Sequence, residues 1–187
     1  MSDLKINLGS NNKRVDGYIN VDALDLENVD VVHDLTIFPY PFKDNSAAEI
    51  ISIEFLEHIS FKYTNQVLRE CYRILAPGGR LIMQVPDIGA MCSMYHLNLI
   101  CDCVPRKASQ IEEFKAKPDC PNCQGKAVIH PERWRVAFSG AQKHDYDNHL
   151  AHFTKDILIK EFWLAGFNSS MIGVRPHIYK LIVEGTK

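Results

Sequence analysis

Leu4-Lys5-Ile6-Asn7-Leu8-Gly9-Ser10 is followed, after Asn11 to Asp16, by Gly17-Tyr18-Ile19-Asn20-Val21-Asp22. Leu4, Ile6 and Leu8 alternate up to Gly9, the period of two expected of a strand. Tyr18 to Val21 reads as a second strand that ends at Asp22. Short, mainly apolar runs of this kind suggest strands of a parallel sheet, buried on both faces. Only Gly9 to Gly17 separate the two, whereas a parallel crossover normally takes a dozen or more residues. Either the first helix shrinks to about one turn or a strand boundary is displaced.

Working outward, Val29 to Val32 reads as a third strand ending at His33 and Asp34, and Pro39 and Pro41 break the chain after it. Ala48 to Ile53 is a fourth strand, rich in isoleucine. A helix is expected from Thr64 to Leu75, with Val67, Leu68, Cys71, Tyr72 and Leu75 on one face. Thr64 reads as its N-cap and Pro77-Gly78-Gly79 as its stop. Arg80 to Val85 is a fifth strand closed by Pro86 and Asp87, and Ile88 to Leu97 has helical character. Thr154 caps a later helix whose Ile157, Leu158, Phe162 and Ala165 face the core, with Gly166 at its end. Ser170 to Val174 and Ile178 to Glu184 are the last strands. Arg175-Pro176-His177 between them is too short for a helical crossover, so this pair is antiparallel. The alternation of strands and helices gives an α/β class, a three-layer sandwich whose mostly parallel Rossmann-like sheet has an antiparallel last strand.

With 187 residues, 46% of them hydrophobic and 24% charged, the chain suits one ordinary domain and is not of disordered composition. A formal net charge of -2 gives no general attraction to nucleic acid. Glu49 and Glu54 interrupt the most apolar stretch, so no membrane span is expected. Met1 to Ser10 lacks the layout of a signal peptide, which makes cytoplasmic residence the expectation. Oligomeric state is not encoded in any feature of the sequence.

From Asn98 to Arg135 lysine, glutamate, proline and cysteine mix without a period, and residues 98–135 read as an inserted subdomain of a single 1–187 domain. Cys101-Asp102-Cys103 and Cys120-Pro121-Asn122-Cys123-Gln124-Gly125-Lys126 supply two close pairs, and zinc takes four tetrahedral ligands. The second pair looks like a zinc knuckle, while the first has one intervening residue instead of two. A structural zinc on Cys101, Cys103, Cys120 and Cys123 is expected, with free thiols or a disulfide as alternatives and His96 and His130 as substitute ligands. Such a site would order the insertion as a lid or an acceptor platform. Cys71 and Cys92 read as core residues.

Ligands of an open α/β sheet sit at the carboxyl ends of the strands. Gly9, Ser10 and Asn11 follow the first strand there, Asp22 ends the second, Asp34 ends the third, and Glu57 and His58 follow the fourth. A carboxylate at Asp22 can accept both hydroxyls of a ribose, and one at Asp34 could accept from an adenine amino group. Taken singly, each of these residues reads as a structural loop residue before a functional one.

Together they carry a resemblance. Leu8-Gly9-Ser10, Gly17 to Asp22, Val31-Val32-His33-Asp34-Leu35, Phe55-Leu56-Glu57-His58-Ile59, Arg69 to Gly79 and Val85-Pro86-Asp87 match a known pattern, as do Gly140-Ala141-Gln142, His149 with Phe153-Thr154, and Ala165-Gly166-Phe167. On these residues the chain resembles the short class I S-adenosylmethionine-dependent methyltransferases, over nearly its whole length except the insertion. The resemblance implies the seven-stranded fold with a reversed last strand and a shortened first crossover. It also implies that Gly9 backs the methionine part of S-adenosylmethionine, that Asp22 holds the ribose, and that Asp34 with Leu35 meets the adenine. Ser10, Asn11 and Glu57 complete the expected cofactor set. The family usually has a second glycine where Asn11 stands; asparagine tolerates left-handed backbone, but its side chain could crowd the cofactor.

Methyl transfer from a sulfonium is a displacement that needs donor and acceptor aligned and in some cases a proton removed from the acceptor. Lys143 to His152 holds His144, Asp145, Asp147, His149 and His152 as candidate bases. His149 comes first because it matches a family position, and His58, beside the expected cofactor site, comes second. An imidazole titrates near neutrality, which suits a base, though most histidines only hydrogen-bond. The expected activity is methyl transfer to a small-molecule or sugar-like acceptor. The alternative is a non-catalytic member of the fold that uses the zinc insertion for binding or assembly. A nucleic-acid methyltransferase is disfavoured, since Arg106, Lys107, Lys115, Lys117 and Lys126 are offset by nearby acids.

Overall fold

In the computed structural model, which describes residues 3–96, 119, 138–140, 145–177 and 180–187, the alternating run near the N-terminus forms strand β1 (Leu4–Leu8). Strands β2 (Ile19–Asp22), β3 (Val31–Val32) and β4 (Ala47–Ile53) follow. After them come helix α1 (Phe61–Ile74), strand β5 (Leu75–Pro86) and helix α2 (Ile88–His96). Helix α3 (Lys155–Ala165) and strands β6 (Ile172–His177) and β7 (Lys180–Thr186) complete the order. The chain divides into two units, one of Met1–Asp87 with His149–Lys187 and the other of Ile88–Asn148. The second unit contains α2 and a 3₁₀ turn, Asp145–Asp147, and spans the expected insertion. Cys101, Cys103, Cys120, Cys123, His130 and His144 lie outside the described residues, as does the side chain of His96.

The first unit is built on a seven-stranded sheet of order β3-β2-β1-β4-β5-β7-β6. Pairs β1–β2, β1–β4, β2–β3 and β4–β5 are parallel, while β7 runs antiparallel to both β5 and β6. The reversed last strand expected from the short final connection is therefore present. Arg175, Pro176 and His177 are part of β6 and not its loop, with Pro176 opposite Leu181. This strand lies at the sheet edge, where a proline costs no ladder hydrogen bond on its outer side.

The crossovers β1–β2, β2–β3 and β3–β4 carry no helix, and the unit's helices α1 and α3 pack on one another. Ile6, Leu8, Ile50, Leu81, Met83, Val85, Leu181 and Val183 join Val67, Leu68, Leu158 and Phe162 in one core cluster. Among the alternate strand positions, Asn7 and Glu49 are buried, whereas Lys5, Ile51, Ile53, Arg80, Ile82, Gln84, Ile182 and Glu184 are exposed or half-buried. Within this unit helices α1 and α3 thus cover one face of the sheet. Isoleucine-rich strands read as buried on both faces because apolar β-branched residues also suit a half-buried pleat.

Helix α1 starts a turn earlier than expected. Thr64 lies inside it with a buried side chain, and Ser60 stands at the N-cap without a side-chain hydrogen bond. Phe61 and Tyr63 in the added turn are exposed, so no apolar period announced it. The helix ends at Ile74, Leu75 pairs with Ala47, and Pro77-Gly78-Gly79 forms an irregularity before Arg80 pairs with Glu49. Thr154 caps α3 by accepting the Ile157 amide at 3.4 Å, and Gly166 closes that helix in the left-handed conformation. Leu158, Phe162 and Ala165 face the core as expected, but Ile157 is exposed, one residue off the stripe. Cys71 is buried as expected, whereas Cys92 is exposed.

The short first crossover is explained by polar side chains in place of a helix. Asn7 and Asn20 are register partners on β1 and β2, and both are buried. Asn7 Nδ2 donates to Asn20 Oδ1 at 2.9 Å, and the same oxygen accepts the Val15 amide at 2.9 Å. Asn20 Nδ2 donates to the Tyr18 carbonyl and to Asp30 Oδ2, each at 3.0 Å. Asp30 also accepts the Asn20 amide at 2.8 Å and pairs with Arg14 at 2.8 Å. The Asn20 amide, the Arg14 guanidinium and the Asn20 side chain hold the Asp30 carboxyl down at about 2. A carboxyl lowered in the folded state stabilises above its ordinary range and loses that contribution as pH falls. Asp30→Asn is accordingly expected to lower stability at neutral pH and to flatten the stability profile between about pH 4 and pH 2, measured by urea unfolding across that window.

Candidate functional site

The parallel strands deliver Gly9, Asp22, Asp34, Glu57 and Asp87 to the same edge of the sheet, each just past or at the carboxyl end of its strand. At the first of these loops the amides of Gly9 and Ser10 both donate to the Val21 carbonyl, at 2.9 and 3.1 Å, which curls the chain back toward β2. Gly9 has φ 68, and a Cβ placed there would lie 2.5 Å from Cβ, Cγ and Cδ2 of Phe55. The glycine is therefore required by the protein's own packing, whatever else approaches its backbone. Ser10 is buried and its Oγ has no hydrogen-bond partner among the described residues.

Asn11 has φ 48, the left-handed backbone that a glycine would otherwise supply. Its side-chain oxygen accepts the Asn12 amide at 2.7 Å, and its own amide donates to Asp22 Oδ2 at 2.7 Å. Asp22 Oδ1 accepts the Leu24 amide at 3.0 Å. A carboxylate has about four acceptor positions, so Asp22 holds the two loops and keeps capacity for ligand hydroxyls. Asp34 Oδ1 accepts both the amide and the hydroxyl of Thr36, at 2.9 and 2.7 Å, which fixes the turn after β3. The Leu35 side chain belongs to the core, and its carbonyl accepts from the Tyr40 hydroxyl at 2.8 Å.

Glu57 and His58 lie in a 3₁₀ turn, Leu56–His58, that follows β4. The Glu57 carbonyl accepts the amides of Leu150 and Ala151, at 2.7 and 3.0 Å, so the chain re-entering this unit is fastened against the turn. That places His149 beside His58, with ring centroids 5.0 Å apart and planes at 71°. Glu57 is 1% exposed, and neither carboxyl oxygen has a hydrogen-bond partner among the described residues. Burial, with a smaller push from Glu54, raises its carboxyl to about 8. Each of Glu57, His58 and His149 offers a donor atom within 4.8 Å of the other two.

The structure thus gathers His58, His149 and Glu57 into one cluster, and gathers Gly9, Ser10, Asn11 and Asp22 into one loop pair. His152 is exposed two residues past Leu150, and Asp145 and Asp147 belong to the second unit. Sequence reasoning missed the Asn7–Asn20–Asp30 network, although two asparagines at interior strand positions were a readable signal. It also missed the orphaned Glu57 carboxylate, because nothing in the sequence tells that residue 150 returns to residue 57.

Comparison with known proteins bears on these loops. A family model of the methyltransferase domain matches residues 13–83. No curated protein matches the chain in sequence. Among solved structures, a SAM-dependent methyltransferase of Thermotoga maritima, described as a possible histamine N-methyltransferase, superposes with a TM-score of 0.56 at 14% identity, over 98% of this chain and 82% of its own. A SAM-dependent methyltransferase of Methanosarcina mazei superposes at 0.57 with 14% identity, over 100% of this chain and 92% of its own. A phosphoethanolamine N-methyltransferase of Haemonchus contortus, in complex with phosphomonomethylethanolamine and S-adenosylhomocysteine, superposes at 0.50 with 13% identity, over 94% of this chain and 35% of its own. Among the described residues no helix is long and apolar enough to cross a membrane. Residues 13–83 thus match the methyltransferase-domain model, and the chain shares the fold of these class I S-adenosylmethionine-dependent methyltransferases.

Proposed function

We propose that the chain moves a methyl group from S-adenosylmethionine to a small-molecule or sugar-like acceptor. The observation that carries this reading is Asp22, a carboxylate at the end of β2 within the matched domain, with acceptor capacity left after it has bonded the Asn11 and Leu24 amides. When bound, S-adenosylmethionine supplies a methyl group made electrophilic by its sulfonium. The residues present fit such a group: the buried Ser10 hydroxyl lacks a partner among the described residues, and Asn11 keeps the left-handed turn that a glycine would give. Asp22 would hold ribose hydroxyls, Ser10 and the Gly9 backbone the amino-acid part, and Asp34 with Leu35 the adenine edge. His149, with His58 as the second candidate, would take a proton from an acceptor hydroxyl or amine, a role that needs hydrogen-bond reach of that proton.

Isothermal calorimetry with S-adenosylmethionine tests this. The wild-type chain is expected to bind, and Asp22→Ala to weaken binding by tenfold or more, since a hydrogen bond to a charged group is worth about 1.5–3 kcal/mol. Asp22→Asn, which keeps one acceptor oxygen and so only one of the two loop contacts, is expected to fall between. Unchanged affinity in Asp22→Ala would remove Asp22 from the site. Absence of binding at millimolar cofactor would favour the non-catalytic binding or assembly module. The structural zinc on Cys101, Cys103, Cys120 and Cys123 stays part of the reading on the strength of their spacing. Metal analysis of metal-replete protein against Cys120→Ser/Cys123→Ser checks it, near-stoichiometric zinc being expected only in the wild type.

A further inference from the structure

The geometry points to a second metal site, formed by Glu57, His58 and His149, that takes a divalent transition-metal ion and leaves coordination positions open for an oxygen ligand. Three observations converge on it. First, the donor atoms of these three residues lie within 4.8 Å of one another. In a tetrahedral site with bonds of about 2.0–2.2 Å the ligands stand about 3.4 Å apart, so the donors must close by on the order of an ångström to hold an ion. Second, both Glu57 oxygens are buried without a hydrogen-bond partner among the described residues. A buried carboxylate in that state is costly unless a cation or a donor completes it. Third, the two imidazoles are half-buried, so each ring keeps some contact with solvent.

The donor set decides the class of ion. Two imidazoles and one carboxylate suit zinc, iron, cobalt or nickel better than magnesium or calcium, which prefer all-oxygen shells. Three protein ligands are one fewer than a closed structural site uses, so the ion would keep at least one exchangeable position. The backbone supplies the rigidity such a site needs, because the Glu57 carbonyl accepts both the Leu150 and Ala151 amides and thereby fixes where His149 stands. Glu54 is engaged elsewhere, its Oε1 bonding Gln84 at 3.1 Å and Lys180 at 3.3 Å, and is not counted as a ligand.

The site does not depend on the methyl-transfer reading, and its test uses no cofactor. The full-length protein, stripped with chelator, is titrated with Co²⁺ and followed by visible absorption, which separates nitrogen- and oxygen-ligated cobalt from thiolate-ligated cobalt. The expected result is one Co²⁺ with a nitrogen and oxygen spectrum in the wild type and in Cys120→Ser/Cys123→Ser. Glu57→Gln and His149→Ala are each expected to weaken that binding by on the order of a hundredfold. Glu57→Gln keeps the volume of the side chain, and His149→Ala alters a half-buried ring, so the second variant decides the matter if the first fails to fold. No nitrogen and oxygen signal in the wild type would overturn the site, as would its loss in the cysteine variant. Full-strength binding in the folded Glu57 or His149 variants would overturn it equally.

Discussion

Gly9→Ala is expected to lower the unfolding free energy by about 3 kcal/mol, the sum of about 1 kcal/mol or more for a side chain at left-handed φ and about 1–3 kcal/mol for overpacking. The overlap is with Phe55, whose Cβ, Cγ and Cδ2 all stand 2.5 Å from the site of the new carbon. Because one of those atoms is Cβ, no change of rotamer relieves it, and either β1 or the loop after β4 must shift. Urea unfolding of Gly9→Ala, Phe55→Ala and the double variant measures the coupling. The alanine at position 9 is expected to cost clearly less in the Phe55→Ala background. An equal cost in both backgrounds would show that backbone strain alone accounts for the glycine.

The second large effect is expected at Asn20. Asn20→Leu removes the acceptor of the buried Asn7 amide group and of the Val15 amide, and the donor to Asp30 and to the Tyr18 carbonyl. A group stripped of its partner costs about 1–3 kcal/mol; counting only the two donors that lose their acceptor, a loss of about 4 kcal/mol in unfolding free energy is expected. Replacing both members of a pair with apolar groups is gentler than replacing one. Asn7→Leu/Asn20→Leu should therefore lose less than the sum of the single variants, as read by chemical denaturation. Strict additivity would show that the two side chains do not act as a unit.

The same crossover shows what the sequence discloses and what it withholds. The alternation in Leu4–Leu8 and the short final connection were enough to give parallel strands and one reversed strand, because both follow from local period and chain length. Boundaries slipped where exposed residues carried no period, as at Phe61 to Tyr63 ahead of Thr64. Of the three crossovers without a helix, only the first was expected to hold one, shrunk to about one turn, with a displaced strand boundary as the alternative. Gly9, Asn11, Asp22 and Asp34 were legible as a group because the ends of parallel strands converge on one edge. The cluster of Glu57, His58 and His149 was visible only as separate candidates. A bond from residue 150 to residue 57 is a property of the folded chain and leaves no periodic trace.

That bond has a wider meaning for how such a chain can change. Asp87 and Phe153 are bridged within the first unit, and Leu150 and Ala151 are tied to Glu57, so the departure and return points of Ile88–Asn148 are clamped together by the unit they leave. Adding to a loop whose ends are already joined carries a small entropic penalty, about 0.6 kcal/mol for each doubling of its length. Residues 88–148 can thus be lengthened, shortened or exchanged over generations as an interchangeable cassette, while the sheet edge and His149 keep their positions.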